Sequence, residues 1–306
     1  MCTPTFENLK FTCDTYTPPV ITILVGVPGS GKSTFAKRML AVFKDAVVLS
    51  SDSIRERIYG DANCQDNPSK VFSIMQEEAI MALNKGIDVV YDATSITRKS
   101  RASILDRVPK HVTKNCVIVW APVDVCIERD AKRDRTVGPD VIHKMLRRFE
   151  APFYDEGFDN IDVYISNTGH DYQAYYERLI SSLDIPHDNP HHSADIKEHC
   201  RLCGVGLVDK PVPDVVVNAG FLHDIGKPVT KTFKNNKGEV TPVAHYYGHQ
   251  SAGAWLSYGI IGSDPTLAWL ISTHMSPFIN LKYYNNLPFP YRTWIDYLHT
   301  ADLEAH

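Results

Sequence analysis

The 306-residue sequence predicts an α/β domain with a doubly wound parallel sheet, followed by an all-α domain. Five short apolar segments alternate with helical patterns up to residue 183, which is typical of a parallel sheet. The first of these segments leads into a glycine-rich loop. After residues 184–193, which contain two prolines, the strand pattern fades and helical periodicity continues to the end of the chain.

These patterns divide the chain into an arm at residues 1–19, an α/β domain at 20–183, a linker at 184–193 and a helical domain at 194–306. The apolar runs of the first domain predict strands at 20–25, 46–50, 87–91, 116–121 and 161–165. Its helical patterns include residues 33–43, 52–58, 69–85, 123–134, 139–149 and 172–183. In the second domain the helical stretches are 194–202, 213–226, 248–260, 264–275 and 290–305.

Composition and charge limit the classes of function. The net charge of −4 argues against a general nucleic-acid coat, but residues 98–148 carry 13 Lys/Arg and 6 Asp/Glu. This local excess indicates one anion-binding face. Ten of the 13 histidines follow residue 186, which indicates metal in the second half. Seven cysteines without framework spacing are expected to be reduced, and no signal peptide or membrane span is evident, so we expect a cytoplasmic protein.

The glycine-rich loop has the sequence GVPGSGKST and lies between a strand and a helix, the context that a phosphate-binding P-loop requires. Glycines allow successive backbone N–H groups to face a phosphate, and the helix start adds positive potential. Lys32 is predicted to reach the β- and γ-phosphates and Ser33 to ligate Mg²⁺. We expect ATP to contact the loop through Gly26, Gly29, Ser30, Gly31, Lys32, Ser33 and Thr34.

Further polar residues follow the second and third strands. Asp52 can accept the proton of an attacking hydroxyl, or it can act as the N-cap of the helix that begins there. Arg55, one turn later, can bind a substrate phosphate. Asp92 can order Mg²⁺ or contact the acceptor, and Thr94 and Arg98 can also bind the acceptor; each can equally be a surface group.

Arginines are concentrated near residue 130. The spacing of Arg129 and Arg133 predicts that both lie on one helical face, with Arg135 close by. A lid that carries these arginines would neutralise charge that develops on a transferring phosphate. The alternative is a solvated charged helix.

Together these motifs resemble the kinase domain of bacteriophage polynucleotide kinases over about residues 20–150. That resemblance implies that Asp52 is the general base for a 5′-hydroxyl, that Arg55 binds the adjacent 3′-phosphate, and that Arg133 is the lid arginine with Arg129 beside it. One departure is Ser95, which stands where the family usually has asparagine. Small-molecule kinases of similar build share this variation.

The second half contains an ordered set of potential metal ligands on a helical background. Imidazole nitrogens and carboxylates together suit a first-row divalent metal, and one aspartate can bridge two ions. The set consists of His199, His223, Asp224, His249, His274 and Asp302.

This ligand set resembles the HD phosphohydrolase superfamily over about residues 187–306, and looks most like the HD domain of some CCA-adding tRNA nucleotidyltransferases. The resemblance implies one metal held by His199, His223, Asp224 and Asp302, and a second held by Asp224, His249 and His274. It also implies that Lys227 contacts the scissile phosphate. Two ions, Mn²⁺, Co²⁺, Ni²⁺ or Fe²⁺, are expected there.

A 5′-kinase joined to a phosphoesterase suggests an end-healing enzyme that acts on RNA in preference to DNA, with an RNA ligase acting downstream and, if phage-encoded, a location in the host cytoplasm. The first alternative is a small-molecule nucleoside or nucleotide kinase fused to an HD nucleotidase. A second alternative is a regulatory protein that senses ATP, against which the intact Lys32 and Asp52 argue.

Overall fold

A computed structural model describes residues 18–43, 45–64, 66–166, 169–189, 195–260 and 264–305. The chain forms two compact units. The first comprises residues 1–136 and 154–166, and the second comprises residues 137–153 and 167–306. The predicted arm falls almost entirely outside the described residues, as does the end of the predicted linker. Across the described ranges, no helix combines the length and the apolar character needed to cross a membrane.

The first unit contains the predicted parallel sheet. Its strands are β1 (Val20–Val25), β2 (Val47–Ser50), β3 (Val89–Asp92), β4 (Thr113–Trp120) and β5 (Asn160–Ile165), in the spatial order β2-β3-β1-β4-β5. All four pairings are parallel. Because β1 lies between β3 and β4, the direction of winding reverses at β1, and a crevice opens at its carboxyl end. The glycine-rich loop begins there.

Helices of the first unit follow strands β1 to β4, as expected for this topology. They are α1 (Lys32–Val42), α2 (Ser51–Tyr59), α3 (Pro68–Leu83), α4 (Arg98–Leu105) and α5 (Val123–Ala131). One core cluster consists of Leu24, Phe35, Ala36, Met39, Val90, Val117 and Val119, so α1 packs against the three central strands. Burial of this apolar face fixes the position of the loop between β1 and α1.

The second unit is built mainly from helices. These are α6 (Pro139–Leu146), α7 (Tyr172–Ser182), α8 (Ile196–Leu207), α9 (Asp214–Leu222), α10 (Lys227–Thr230), α11 (His249–Ser257), α12 (Pro265–Thr273), α13 (Ser276–Ile279), α14 (Leu281–Asn285) and α15 (Tyr291–Glu304). The sequence assigns α6 and α7 to the first domain. In the structure Phe149 packs edge-on against Trp255 at 5.4 Å, and the Tyr175 hydroxyl donates to the Leu256 carbonyl at 3.3 Å.

The second unit is mainly helical, as predicted, but it is not all-α. Strands β6 (Thr232–Lys234) and β7 (Val240–His245) pair antiparallel across a turn. Gly238 in this turn has φ = 84°, and the flanking residues are rich in β-branched and aromatic types. A Gly-containing turn between such residues favours a hairpin. The sequence contains this local signal, although helical patterns surround it on both sides.

The fifth helix is shorter than predicted, because α5 ends at Ala131 and not near residue 134. The four residues that follow, Lys-Arg-Asp-Arg, offer no apolar side chain to bury. Arg133 therefore lies beyond the helix, and the prediction that Arg129 and Arg133 share a helical face is wrong.

Candidate functional sites

The loop after β1 has the geometry of a phosphate cradle. Gly29 and Gly31 adopt φ = 77° and 101°, which side chains disfavour, and Gly31 is the N-cap of α1. A Cβ on Gly29 would lie 2.1 Å from the Cys126 carbonyl oxygen. The Lys32 ammonium donates to the carbonyls of Gly26 at 2.8 Å and Val27 at 3.0 Å, so it is held over the loop. Loop and helix start together form an anion site.

Electrostatics around Lys32 suit phosphate binding. Burial of the ammonium lowers the pKa of Lys32 to about 8, and the nearby Asp92 carboxylate partly opposes this lowering. The side chain as a whole is half-buried. Asp92 is buried at the end of β3, and burial raises its pKa. Its carboxylate accepts a hydrogen bond from the Ser33 hydroxyl. A hydroxyl and a carboxylate that meet beside a phosphate cradle fit an oxygen-ligated Mg²⁺.

Asp52 lies at the neighbouring strand end, since Ser50 pairs in register with Asp92. The Ser50 hydroxyl accepts the Asp52 N–H at 3.3 Å, so Ser50 is the N-cap of α2 and Asp52 is not. The Asp52 carboxylate instead accepts from Arg55 and from Arg135, each at 2.9 Å to Oδ1. Its side chain remains 44% exposed, so an acceptor can reach it.

The other predicted residues of the first unit have varied positions. Arg129 donates to the Ser166 hydroxyl at 2.8 Å and to its carbonyl at 3.1 Å, and so braces the loop against the end of β5. Arg133 is 45% exposed and close enough to Lys32 to lower its pKa. The Thr94 carbonyl accepts the Gly26 N–H at 3.1 Å.

Arg98 does not join this group, because it pairs with Asp155 and with Glu156. Sequence reasoning missed two structural features here. One is the contact of Arg135 with Asp52, and the other is buried Arg101, which donates to both oxygens of Glu156 at 2.7 Å. Both pairs join residues more than 50 positions apart in the sequence, so no local pattern marks them.

Six predicted ligands of the second unit lie together. His199 comes from α8, His223 and Asp224 follow α9, His249 begins α11, His274 ends α12 and Asp302 lies in α15. The Nε2 atoms of His199 and His223 are 3.2 Å apart, and Asp302 Oδ1 lies 2.9 Å from the former and 3.3 Å from the latter. Two groups of three can hold a metal ion, one formed by His199, His223 and Asp302 and the other by Asp224, His249 and His274.

All four histidines are held in the same way. Each Nδ1–H donates to a backbone carbonyl, at 2.7–2.9 Å, with Ala305, Gly220, Tyr246 and Ile271 as the acceptors. In the neutral ring the other nitrogen, Nε2, is then an acceptor that faces the cluster. Such backbone contacts fix the ring orientation of metal-binding histidines.

Three acceptors meet in one half of the cluster. His249 Nε2 lies 3.3 Å from His274 Nε2 and 3.2 Å from Asp224 Oδ1. Burial lowers the pKa of His249 and lowers that of His274 to about 3, so both rings are neutral at pH 7. Two lone pairs and a carboxylate oxygen at this separation repel each other unless a cation lies among them. The donor set therefore fits a divalent metal.

Asp224 connects the two halves of the cluster. Its Oδ1 faces His249, while its Oδ2 lies 3.3 Å from His223 Nε2 and 2.6 Å from the Lys227 ammonium. Burial alone would raise the pKa of Asp224, but Lys227 and His223 hold it well below its usual value. Burial likewise opposes the charge on His223, yet Asp224 and Asp302 raise its pKa well above the usual value. Binding of a metal there would displace this proton.

Close helix packing brings these ligands together. A Cβ on Gly220 of α9 would lie 2.9 Å from the Gly204 Cα of α8, so only glycine allows this approach. Helix α8 carries His199, and His223 directly follows helix α9. Cys200 on α8 is buried beside them, and its thiol also lies among His223 and Asp224. Cys64, Cys116, Cys126, Cys200 and Cys203 are free thiols, as expected.

Sequence comparison matches residues 21–152 to the model of a family described as AAA domain. Shikimate kinase of Corynebacterium glutamicum is 30% identical over 144 residues, which are 44% of this chain and 82% of that protein. L-seryl-tRNA(Sec) kinase of Methanococcus maripaludis is 26% identical over 49% of this chain and 60% of that protein. Transcription factor bHLH140 of Arabidopsis thaliana is 31% identical over 46% of this chain. The chain spans only 15% of that factor's length.

Among solved structures, one chain of the Pnkp1/Rnl/Hen1 RNA repair complex is 23% identical and gives a TM-score of 0.42, covering 55% of this chain and 54% of that one. At this score the likeness does not bear on activity. The sequence match over residues 21–152, together with the loop geometry and the parallel sheet, establishes the class of the first unit. Through these residues the chain belongs to the AAA-domain family of P-loop kinases.

Proposed function

We propose that this chain is a bifunctional RNA end-healing enzyme. Its first unit would transfer phosphate from ATP to a 5′-hydroxyl, and its second would hydrolyse a 2′,3′-cyclic phosphate or a 3′-terminal phosphate. The observation that supports the kinase most directly is the meeting of Lys32, Asp92 and Asp52 at adjacent strand ends, where Asp92 and Asp52 both influence the pKa of Lys32. A phosphate cradle, a proposed magnesium site and an exposed carboxylate thus share one crevice.

In this proposal the residues of the first unit have distinct tasks. The loop N–H groups and Lys32 bind the β- and γ-phosphates, and Arg133 approaches the phosphate that is transferred. Ser33 and Asp92 would hold Mg²⁺, which neutralises phosphate charge when bound. Asp52 takes the proton of the acceptor hydroxyl as that oxygen attacks phosphorus, and ADP leaves with the electrons of the broken P–O bond. Arg55 binds a phosphate of the acceptor.

The nature of the acceptor is the main question for this unit. The L-seryl-tRNA(Sec) kinase match is named for an RNA-borne acceptor, whereas shikimate kinase is named for a small molecule. The basic stretch 98–148 favours RNA, although ion pairs neutralise Arg98 and Arg101 within it. A small-molecule kinase is therefore the second candidate, and the shikimate kinase match favours it.

Phosphate transfer from labelled ATP separates these candidates. We expect an RNA oligonucleotide with a 5′-hydroxyl to be phosphorylated with a kcat/KM at least about 10-fold above that of free nucleosides, because only the oligonucleotide offers a phosphate for Arg55. Equal or better transfer to free nucleosides would favour the small-molecule kinase. An RNA ligase that seals the products would be the expected downstream partner.

For the second unit the proposal depends on the cluster of facing acceptors at His249, His274 and Asp224. We propose two ions, chosen from Mn²⁺, Co²⁺, Ni²⁺ and Fe²⁺, that share Asp224. One set of ligands is His199, His223 and Asp302, and the other is His249 and His274. Divalent ions in such a site supply Lewis acidity and a nucleophilic hydroxide when bound. Lys227, whose ammonium lies 2.6 Å from Asp224, would contact the substrate phosphate.

Hydrolysis of RNA that ends in a 2′,3′-cyclic phosphate tests this second activity. We expect release or opening of the cyclic phosphate in the presence of added Mn²⁺, Co²⁺ or Ni²⁺, and its loss in the presence of a chelator. If the purified protein binds none of these metals and hydrolyses neither cyclic nor terminal phosphate, the phosphohydrolase proposal is refuted. Hydrolysis of free nucleotides alone would favour an HD nucleotidase.

A further inference from the structure

The ligand cluster of the second unit includes a thiol that has no part in the proposed hydrolysis. Cys200, on α8 directly after His199, is only 2% exposed. One ligand atom from each of Cys200, His223 and Asp224 lies within 4.8 Å of the other two, so these side chains form a further group that can hold a metal ion. Its sulfur, nitrogen and oxygen donors distinguish it from the two groups already described, which offer only nitrogen and oxygen.

Asp224 provides a second indication of an ion at this position. The residue is buried, and no donor in the described part of the chain meets its Oδ2 with hydrogen-bonding geometry, although the Lys227 ammonium lies 2.6 Å away. A buried carboxylate oxygen without a hydrogen bond is unfavourable. The same oxygen lies 3.3 Å from His223 Nε2. Two ligands of one tetrahedral Zn²⁺ are expected at a similar separation, about 3.3 Å.

His223 can serve only one ion at a time. Its Nδ1–H donates to the Gly220 carbonyl at 2.9 Å, so Nε2 carries the single lone pair that remains for a metal. Nε2 also faces His199 and Asp302. An ion held with Cys200 therefore takes the place of the ion held with His199 and Asp302, and is not an additional one.

The chemistry of the donors decides which ion uses the thiol. Thiolate sulfur is a soft ligand that favours Zn²⁺, whereas carboxylate and water suit Mn²⁺. We propose that Cys200, His223 and Asp224 form a zinc site, with water as the fourth ligand. The thiol proton is released to solvent as sulfur binds the ion. The inference goes beyond the proposed hydrolysis, because such a site holds zinc whether or not the chain cleaves a phosphate.

Cys203 provides a matched control for Cys200. It is buried one turn later on the same helix and interacts electrostatically with His223. Among the residues that the structure describes, however, it belongs to none of the groups that can hold an ion. A general effect of removing a buried thiol from α8 should therefore appear in both Cys200→Ser and Cys203→Ser, whereas loss of a ligand should appear in Cys200→Ser alone.

Absorption spectroscopy of the full chain loaded with Co²⁺ tests for the sulfur ligand. Cobalt accepts the same donors as zinc, and its bond to a thiolate gives a charge-transfer band in the near ultraviolet. We expect this band in wild type and in Cys203→Ser, and its loss in Cys200→Ser. Circular dichroism checks folding, and Cys200→Ala is measured if Cys200→Ser does not fold. A band that persists without Cys200, or that disappears without Cys203, would overturn the proposal.

Metal affinity gives a second readout. Competition with a chelator should show Zn²⁺ binding weakened at least about 10-fold by Cys200→Ser, and Mn²⁺ binding changed by less than about twofold, because only zinc favours the sulfur. Equal effects on both ions would overturn the zinc site.

The outcomes also separate this inference from the proposed hydrolysis. Cobalt that binds to wild type without a thiolate band would overturn the sulfur ligand and leave the phosphohydrolase. A band that depends on Cys200, without hydrolysis of cyclic or terminal phosphate under any added metal, would overturn the phosphohydrolase and leave the zinc site. A protein that binds none of Zn²⁺, Co²⁺ and Mn²⁺ and hydrolyses neither phosphate would overturn both.

Discussion

The Asp52 carboxylate is the general base in the phosphate transfer that we propose for the first unit. Ser50 caps α2, so the helix does not need Asp52 for its first turn. The two arginine contacts hold the carboxylate at the end of β2, beside the crevice of the phosphate loop. The Asp52 carboxylate is exposed, is held by two arginines and is not needed as a helix cap. These structural observations support a functional role more strongly than its position in the sequence does.

Replacing Asp52 with asparagine should therefore affect transfer without affecting ATP. Asparagine keeps the shape but cannot take a proton, so we expect kcat to fall at least about 100-fold. Binding of ATP, measured by calorimetry, should stay within about twofold, because Asp52 does not hold the phosphates. Asp106→Asn, an exposed change at the end of α4, is the control. Near-normal turnover of Asp52→Asn would contradict the assignment.

Lys32 makes the reaction sensitive to alkaline pH. Burial lowers its pKa to about 8, so the ammonium loses its charge as the pH rises through this value. An uncharged amine attracts phosphate less strongly, and kcat/KM for ATP should decline above pH 8. A rate profile from pH 6.5 to 10 measures this, with circular dichroism as the control for unfolding. A flat profile up to pH 10 would show that the pKa of Lys32 is not lowered in the free protein.

Asp224 and His274 should differ in their effects on metal content. Asp224 has oxygens facing both groups of histidines, whereas His274 belongs to one group. Asp224→Ala should therefore empty both positions, and His274→Ala should leave one ion bound. Elemental analysis after purification with Mn²⁺ measures this, and His245→Ala, which changes a histidine outside the cluster, should retain two ions. Two ions in Asp224→Ala would contradict a shared ligand.

At the scale of elements, the loop between β1 and α1 depends on backbone that only glycine supplies. At Gly29 a positive φ is combined with a close contact for an added Cβ, whereas Gly86, which follows α3, has φ = 76° and open space where a Cβ would lie. Substitutions at Gly86 and Gly29 therefore distinguish the cost of backbone strain alone from the cost of strain combined with steric overlap. Gly29 lies before the N-cap of α1, and Gly86 lies beyond the C-cap of α3.

We expect Gly86→Ala to lower the free energy of unfolding by about 1–2 kcal/mol, the cost of left-handed backbone for an L-residue. Gly29→Ala should cost at least about 1–3 kcal/mol more, because the added Cβ overlaps a backbone carbonyl. Urea denaturation of both variants measures the difference. Equal costs would mean that β4 and α5 can shift to accommodate a methyl group at the loop.

Helices of the second unit bring its proposed ligands together through tight contacts between helices and not through a local sequence motif. The glycines at 204 and 220 allow α8 and α9 to approach, and the ends of α9 and α12 place His223 and His274 in the interior. The hairpin of β6 and β7 separates Lys227 from His249 along the chain. It contributes none of the six proposed ligands.

At the scale of the whole molecule, the proposed activities use residues of different compact units. Lys32→Ala should abolish phosphate transfer and leave cyclic-phosphate hydrolysis, since the amine donates to carbonyl groups of the first unit's loop. His223→Ala should have the opposite effect. Both activities are measured on the full chain, with thermal unfolding as the check on folding. Loss of both activities from either change, in folded protein, would indicate one composite site.

The chain passes between the two units more than once, because residues 137–153 belong to the second unit and residues 154–166 to the first. The linker at 184–193 therefore stays a prediction. A single domain boundary there does not describe how the segments of the chain are divided between the two compact units. The contacts of Phe149 with Trp255 and of Tyr175 with Leu256 explain the grouping. Burial of these aromatic side chains, and not proximity along the chain, decides which unit each segment joins.

The sequence by itself determined the parallel sheet and the phosphate loop and indicated the histidine-rich set of proposed ligands, because strand and helix periodicity and motif spacing are local properties of the chain. Only the tertiary structure decided that Arg135 lies on Asp52, that Arg98 pairs with Asp155, and that Asp224 faces both histidine groups. The two arginine contacts join residues 57 and 83 positions apart, and Asp224 meets histidines that belong to separate segments of the chain. Side-chain packing between segments that are distant in the sequence decides which residues pair. A local sequence pattern does not predict such packing.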